Sequence, residues 1–331
     1  MVTELDLGLG DGRTLHAYDT GVKGAAGCLA VFWHHGTPNI GAPPEPLFPA
    51  AKRLGIRWVS YDRPGYGGST PHRGRDVASA ASDVSSVADA LGIDQFAVMG
   101  HSGGGSHALA CSALLPERVL GVVSVAGLAP FGLEGLDWFA GMTASGATSL
   151  RAAVEGRAAK ERYEASGAEY DPEFTSADLA ALSDEWSWLA DVVGPAVAAG
   201  PGGLIDDDLA YVAPWGFDPT QAIAPVLFLH GGRDDVAVGA HDGTAGQLAE
   251  QLEHWLERLV LTEPMVDLHD PVDERPQRFE RLDAPHVRAR QKCRRLALGE
   301  TLADQLGLLP ALLAERAVDV VALPESALAG L

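Results

Sequence analysis

The residues with the clearest chemical purpose are Gly100-His101-Ser102-Gly103-Gly104. They read G-x-S-x-G and fall between an apolar run at residues 96–99, which predicts a strand, and residues 103–115, which predict a helix stopped by Pro116. A serine on so sharp a strand-to-helix bend needs neighbours nearly free of side chain, and the bend lifts its hydroxyl above the sheet edge. The helix that follows points its first N–H groups and the positive end of its dipole at the same spot, where they favour a developing oxyanion. The chemistry implied is attack by the Ser102 hydroxyl on a carbonyl.

A serine so placed needs a sheet beneath it. Residues 3–9 and 13–19 flank Asp11-Gly12, a hairpin signal. An apolar run at 28–33 ends in His34-His35-Gly36-Thr37-Pro38, and a second at 56–61 ends in Asp62-Arg63-Pro64-Gly65-Tyr66-Gly67-Gly68-Ser69. Asp76 then caps a predicted helix whose Val77, Ala80, Ala81, Val84, Val87, Ala88 and Leu91 keep helical spacing up to Gly92. Another strand is expected at 119–126. Continuous rather than alternating apolar strands are those of a parallel sheet covered on both faces. From 130 to 217 the pattern turns to helical stretches rich in Ala, Glu and Trp, interrupted by Gly194-Pro195, Gly200-Pro201-Gly202-Gly203 and Pro214, which reads as a helical cap. Strand-like sequence returns at 225–230, followed by Gly231-Gly232-Arg233-Asp234-Asp235, a predicted helix at 246–257 and a short strand at 258–262. The expected organisation is α/β, with a discontinuous core of 1–129 and 218–331, a cap at 130–217, and an atypical tail at 270–331.

The order and spacing of His35-Gly36-Thr37-Pro38, the 62–69 loop, Gly100–Gly104 and His230-Gly231-Gly232-Arg233-Asp234 resemble those of the α/β-hydrolase superfamily, over most of the chain to about residue 270. The resemblance implies a mostly parallel eight-stranded sheet with one antiparallel N-terminal strand, flanking helices and a helical cap. It also implies a Ser–Asp–His triad in that chain order, two oxyanion amides and no cofactor. Carried over by position, Ser102 is the nucleophile and Gly103 gives one oxyanion N–H. Thr37 gives the other, since Pro38 has none to give. Asp234 is the expected acid, with Asp235 as competitor. His269, after the 258–262 strand and Glu263-Pro264, is the expected base, although Leu268 stands where the family has Gly; His241, His254 and His286 stay open. The function so implied is hydrolysis of a carboxylic ester of a small to medium apolar substrate through an acyl-enzyme. An aminopeptidase or amidase of the same fold is one alternative, and a non-catalytic ligand-binding protein with an incomplete triad is another.

Trp138, Trp186 and Trp215 of the cap are expected to line a substrate pocket, the plainer reading being that such aromatics form the cap's own core. The rings of His34 and His35 read as structural, and His107 as a core-edge residue. Asp206-Asp207-Asp208 reads as a solvated surface loop rather than a metal site, and no metal is expected. The basic run at 287–295 reads as a solvated helix face or an intramolecular salt-bridging surface, not a nucleic-acid patch. With 45 Asp and Glu against 24 Lys and Arg, the net charge of −21 repels nucleic acid and anionic membranes, which leaves a small molecule as the expected partner. Leu302, Leu306, Leu309 and Leu312 in the tail could dock on the core or support an oligomer. Cys28, Cys111 and Cys293 have neither disulfide nor metal spacing and read as free thiols in a reducing compartment. The acidic start lacks a secretory pattern, and the apolar stretch 119–133 is broken by Ser124, glycines and Pro130, so a cytoplasmic location is expected.

Overall fold

Asp11-Gly12 turns the chain as its sequence requires: Gly12 takes φ +88°, and the hairpin joins β1 (Thr3–Gly8) to β2 (Thr14–Asp19). The computed structural model describes residues 2–21, 28–133, 136–174, 176–184, 186–231 and 318–322. The remaining strands are β3 (Leu29–His34), β4 (Ile56–Tyr61), β5 (Phe96–His101), β6 (Val119–Val125), β7 (Val226–Gly231) and β8 (Val318–Ala322). They form one sheet in the order β1-β2-β4-β3-β5-β6-β7-β8. Neighbours from β4 to β7 are parallel, and β2 is the expected reversed strand near the N-terminus.

The strand beyond β7 is one that the sequence reading did not foresee. The structure pairs β7 with β8, taken antiparallel from the tail, with Leu227 opposite Ala322. The predicted strand at 258–262 lies outside the described residues. Antiparallel pairing needs no crossover helix, so a short apolar run far along the chain can close this edge without the helix a parallel strand would demand. Residues 318–322 read Val-Asp-Val-Val-Ala, a β-prone run that the leucine-rich stretch before it obscures.

The parallel strands are apolar on both faces because both are covered. In β3, Phe32 points into a cluster with Val59, Val84, Phe96, Val98 and Cys111, packed under α2 (Ser79–Ala90) and α3 (Gly103–Leu114). Val31 and Trp33 point the other way, to Trp58, Ala97, Val123 and Trp188. Each such aromatic, fully withdrawn from water, contributes about 1.5–3 kcal/mol. Asp76 accepts hydrogen bonds from the N–H and hydroxyl of Ser79, so α2 starts three residues after the predicted cap. A short helix α1 (Phe48–Leu54) precedes β4 and ends at Gly55, whose φ of +68° is the left-handed cap a glycine takes most easily.

Between residues 130 and 217 the described elements are helices: α4 (Ala144–Val154), α5 (Arg157–Ala165), α6 (Ser176–Ser183), α7 (Trp188–Val197) and α8 (Gly202–Tyr211). Pro195, expected to break a helix, lies within the last turn of α7. There it removes a single ladder bond near the end, where few remain to lose. Among the described residues no single helix is long and apolar enough to cross a membrane; α7 and α8 reach that composition only as a pair bent by 101°.

Candidate active site

Ser102 sits between β5 and α3 with φ +52° and ψ −129°, a backbone region that L-residues with a side chain rarely adopt. The bend is held at both ends: Ser102 N–H donates to Val125 O at 2.8 Å, and Gly105 N–H donates to Ser102 O at 2.8 Å. A Cβ on Gly100 would meet Gly104 O at 2.1 Å, which is why the turn needs glycine on either side of the serine. Such strain, of order 1–3 kcal/mol, persists only where surrounding structure over-determines it. The first turn of α3 buries Gly103, Gly104 and Gly105, so the open helix end lies directly beneath the serine.

The loop after β3 comes to the same place. A Cβ built on Gly103 would lie 3.0 Å from Thr37 Oγ1, and one on Gly36 would lie 3.2 Å from His101 Nδ1. The two residues expected to supply oxyanion amides are therefore brought side by side, 66 positions apart in the chain.

Beneath this loop lies a buried cluster of charge. Arg63, at the end of β4, donates through Nη2 to Gly36 O at 2.9 Å and to Thr37 Oγ1 at 3.0 Å, and through Nη1 to His35 O. The carboxylate of Asp207, on α8, accepts from Arg63 Nη2 at 2.7 Å, Arg75 Nη2 at 2.6 Å, the Tyr66 hydroxyl at 2.8 Å and the Thr37 hydroxyl at 2.6 Å. Burial alone would raise the pKa of Asp207, but Arg63 and Arg75 outweigh it and hold the group well below the usual carboxylate range. Asp207 is thus an anion that only accepts hydrogen bonds.

The triple aspartate is therefore not a solvated loop. Asp206, Asp207 and Asp208 lie on α8 and are all buried. Asp206 pairs with Arg157 and Asp208 with Lys160, both of α5. Consecutive helical residues point about 100° apart, so a helix packed on several sides turns three adjacent carboxylates toward three different partners. Burial raises the Asp208 pKa to about 6, although Lys160 draws it down.

The histidines before Thr37 are structural. His35 Nδ1 donates to Gly36 O at 2.8 Å while its Nε2 accepts from Arg63 N–H at 3.0 Å, which fixes a neutral tautomer. Burial, then the charge of Arg63, lowers His34 to about 3 and holds His35 well below the ordinary value. His107 is buried in α3 and binds Gly103 O through Nδ1 at 2.8 Å.

The three tryptophans expected to line a pocket are dispersed. Trp138 packs edge-on against Phe131 and Phe139 and donates its indole N–H to Ala129 O at 2.7 Å. Trp186 packs with the Trp33–Trp188 cluster. Trp215 is enclosed in the core beside α2 and α3, stacked on Phe217. Asp234 and His269 lie outside the described residues, as do Asp235, His241, His254 and His286.

The family model described as the alpha/beta hydrolase fold matches residues 30–254, more than half the chain. The chain belongs to the α/β-hydrolase family. Among solved structures of the same fold, a bromoperoxidase from Bacillus anthracis superposes with a TM-score of 0.53 at 22% identity, over 70% of this chain and 82% of that one. An esterase from Exiguobacterium antarcticum gives 0.50 at 20% identity, over 76% of this chain and 87% of its own. A curated relative, epoxide hydrolase B of Mycobacterium tuberculosis (strain ATCC 25618 / H37Rv), is 32% identical over 131 residues, 38% of this chain. That alignment spans 36% of the relative's own length, about a third. For this α/β-hydrolase, sequence reasoning did not connect Asp207, Arg75 or Tyr211 to Thr37, and none of the three stands in a motif. The apolar spacing of Leu204, Ile205, Leu209 and Ala210 is the signal that could have put Asp207 on a helix with a buried face.

Proposed function

We propose that the protein is a serine hydrolase that cleaves a carboxylic ester of a small to medium apolar substrate through an acyl-enzyme. The observation that carries this reading is Ser102 on its left-handed bend at the start of α3, with Thr37 beside Gly103. In this reading the Ser102 hydroxyl attacks the ester carbonyl while His269 takes its proton. The N–H groups of Thr37 and Gly103 bind the oxyanion, and the alcohol leaves with the proton from the histidine. Water, with the same histidine as base, then releases the acid. Asp234 orients the imidazole and stabilises it when charged. The roles of Asp234 and His269 rest on the family resemblance. Since Trp138, Trp186 and Trp215 are packed in separate places, they do not together line one pocket, and the apolar preference rests on the family resemblance alone.

The name of the curated relative raises epoxide opening as a second reaction for this fold. Serine chemistry argues against it here. Attack of a serine oxygen on an epoxide carbon would leave an alkyl ether, which has no carbonyl for water to attack. The same serine on an ester leaves an acyl group that water can remove.

Fluorophosphonate labelling of the full chain tests the proposal. Modification on the peptide containing Ser102, lost in Ser102→Ala and in His269→Ala, is the expected result. A folded protein that takes no label would instead be the non-catalytic binder. Turnover of aryl esters against aminoacyl anilides then separates esterase from aminopeptidase or amidase. Removing either residue should lower turnover by several powers of ten.

A further inference from the structure

The hydrogen bonds around Thr37 have a determined direction. Asp207 is ionised and can only accept, so the single hydroxyl proton of Thr37 goes to Asp207 Oδ2. The Tyr211 hydroxyl, 2.8 Å from Thr37 Oγ1, must then be the donor in that pair. Arg63 Nη2 is a second donor to the same oxygen. Thr37 Oγ1 thus gives one hydrogen bond and receives two, which fills its capacity. Asp207 in turn takes donors on both oxygens, from Thr37, Tyr66, Arg63 and Arg75.

This cluster is a poor source of stability, because withdrawing three charges from water offsets much of their attraction. What it does supply is a single arrangement. Three of its contacts, those of Arg63 to His35 O, Gly36 O and Thr37 Oγ1, converge on one three-residue loop. A fourth comes directly from Asp207, more than 160 positions away on a cap helix.

We propose that Asp207 is a positioning residue. From α8 it orients the Thr37 hydroxyl and, through Arg63, the carbonyls of His35 and Gly36, and so sets the direction of the Thr37 N–H that faces the oxyanion. The cap helix is then part of the catalytic apparatus rather than only a cover. This inference rests on the serine-hydrolase reading above.

The test compares Thr37→Val, Thr37→Ser and Asp207→Asn in the full chain, using p-nitrophenyl butyrate as the substrate. Valine keeps the shape and the backbone N–H of Thr37 but can neither donate nor accept. Turnover is expressed per site titrated with fluorophosphonate, so that misfolded protein does not count. Thr37→Val should lose about 100-fold in kcat, the scale of an ångström-sized misplacement, with KM little changed. Thr37→Ser should stay within about threefold of the parent, and a folded Asp207→Asn should behave like Thr37→Val. Where Asp207→Asn does not fold, the two Thr37 variants decide. Full kcat per labelled site in Thr37→Val would overturn the proposal, as would a Thr37→Ser as slow as the valine variant. Parent enzyme that fails to label at Ser102 would overturn the serine-hydrolase reading itself, a separate result.

Discussion

The Tyr211 hydroxyl occupies the place a side chain at Gly103 would need: a Cβ there would lie 2.0 Å from that oxygen and 2.5 Å from the ring carbon that bears it. A residue of α8 therefore dictates which amino acid can follow Ser102. Tyr211 is buried and its hydroxyl is tied to Thr37, so the ring cannot swing aside cheaply. Gly103→Ala should cost about 1–3 kcal/mol by overpacking and should displace Thr37 together with Tyr211. Urea denaturation and ester turnover measured together check this. An alanine variant with parental stability and rate would mean that Tyr211 yields freely.

The strain at Ser102 has its own signature. Both Ser102→Ala and Ser102→Gly should abolish turnover under the proposed function. Only glycine relieves a φ of +52°, by about 1 kcal/mol. Glycine also loses more backbone entropy on folding, which offsets part of that relief. Ser102→Gly should therefore unfold at a denaturant concentration equal to or above that of Ser102→Ala, the cap position itself favouring glycine over alanine in the same direction. A clear advantage for alanine would show that the bend stores no strain.

Lys160 and Asp208 give a pH-dependent prediction. Lys160 is fully buried, with Nζ 2.6 Å from Asp208 Oδ2 and 2.7 Å from Glu164 Oε1. Burial lifts Asp208 to about 6, above the ordinary 3.8, so between about pH 4 and 6 the folded state binds more protons than the unfolded one. The contribution of this group to stability therefore falls as pH rises through that window. Lys160→Met removes the cation and raises the Asp208 pKa further. The variant should lose about 3–5 kcal/mol at pH 8, where an unpaired carboxylate stays buried, and markedly less at pH 5, where Asp208 can protonate. Denaturation curves at the two pH values check it, and equal losses at both would rule the mechanism out.

His34, His35 and His107 should remain neutral at pH 5, because burial, with the nearby charge of Arg63, depresses all three. A ring-proton titration by NMR should show no midpoint for them near 6.5. A histidine-dependent acidic limb in the pH–rate profile then belongs to another histidine, and it should vanish or shift in His269→Ala. A titration of His35 near neutrality would break the tautomer assignment made from its two hydrogen bonds.

The sequence by itself determined the local pieces. Phe32 between Val31 and Trp33 marks a strand buried on both faces, Asp11-Gly12 marks a hairpin, and Gly100-x-Ser102-x-Gly104 marks a bend too tight for side chains. Each follows from sterics or periodicity within a few residues, so each can be read from neighbours alone. The same sequence hints at a helix with a buried face around Asp207 but carries no mark of which partners that carboxylate meets. Three consecutive aspartates look solvated until Arg63 and Arg75 are brought to them across 144 and 132 positions. Only tertiary structure decided that one of those carboxylates would lie under Thr37. A buried charge is tolerable only once its partners have arrived, and which partners arrive depends on how α8 packs against the loops after β3 and β4.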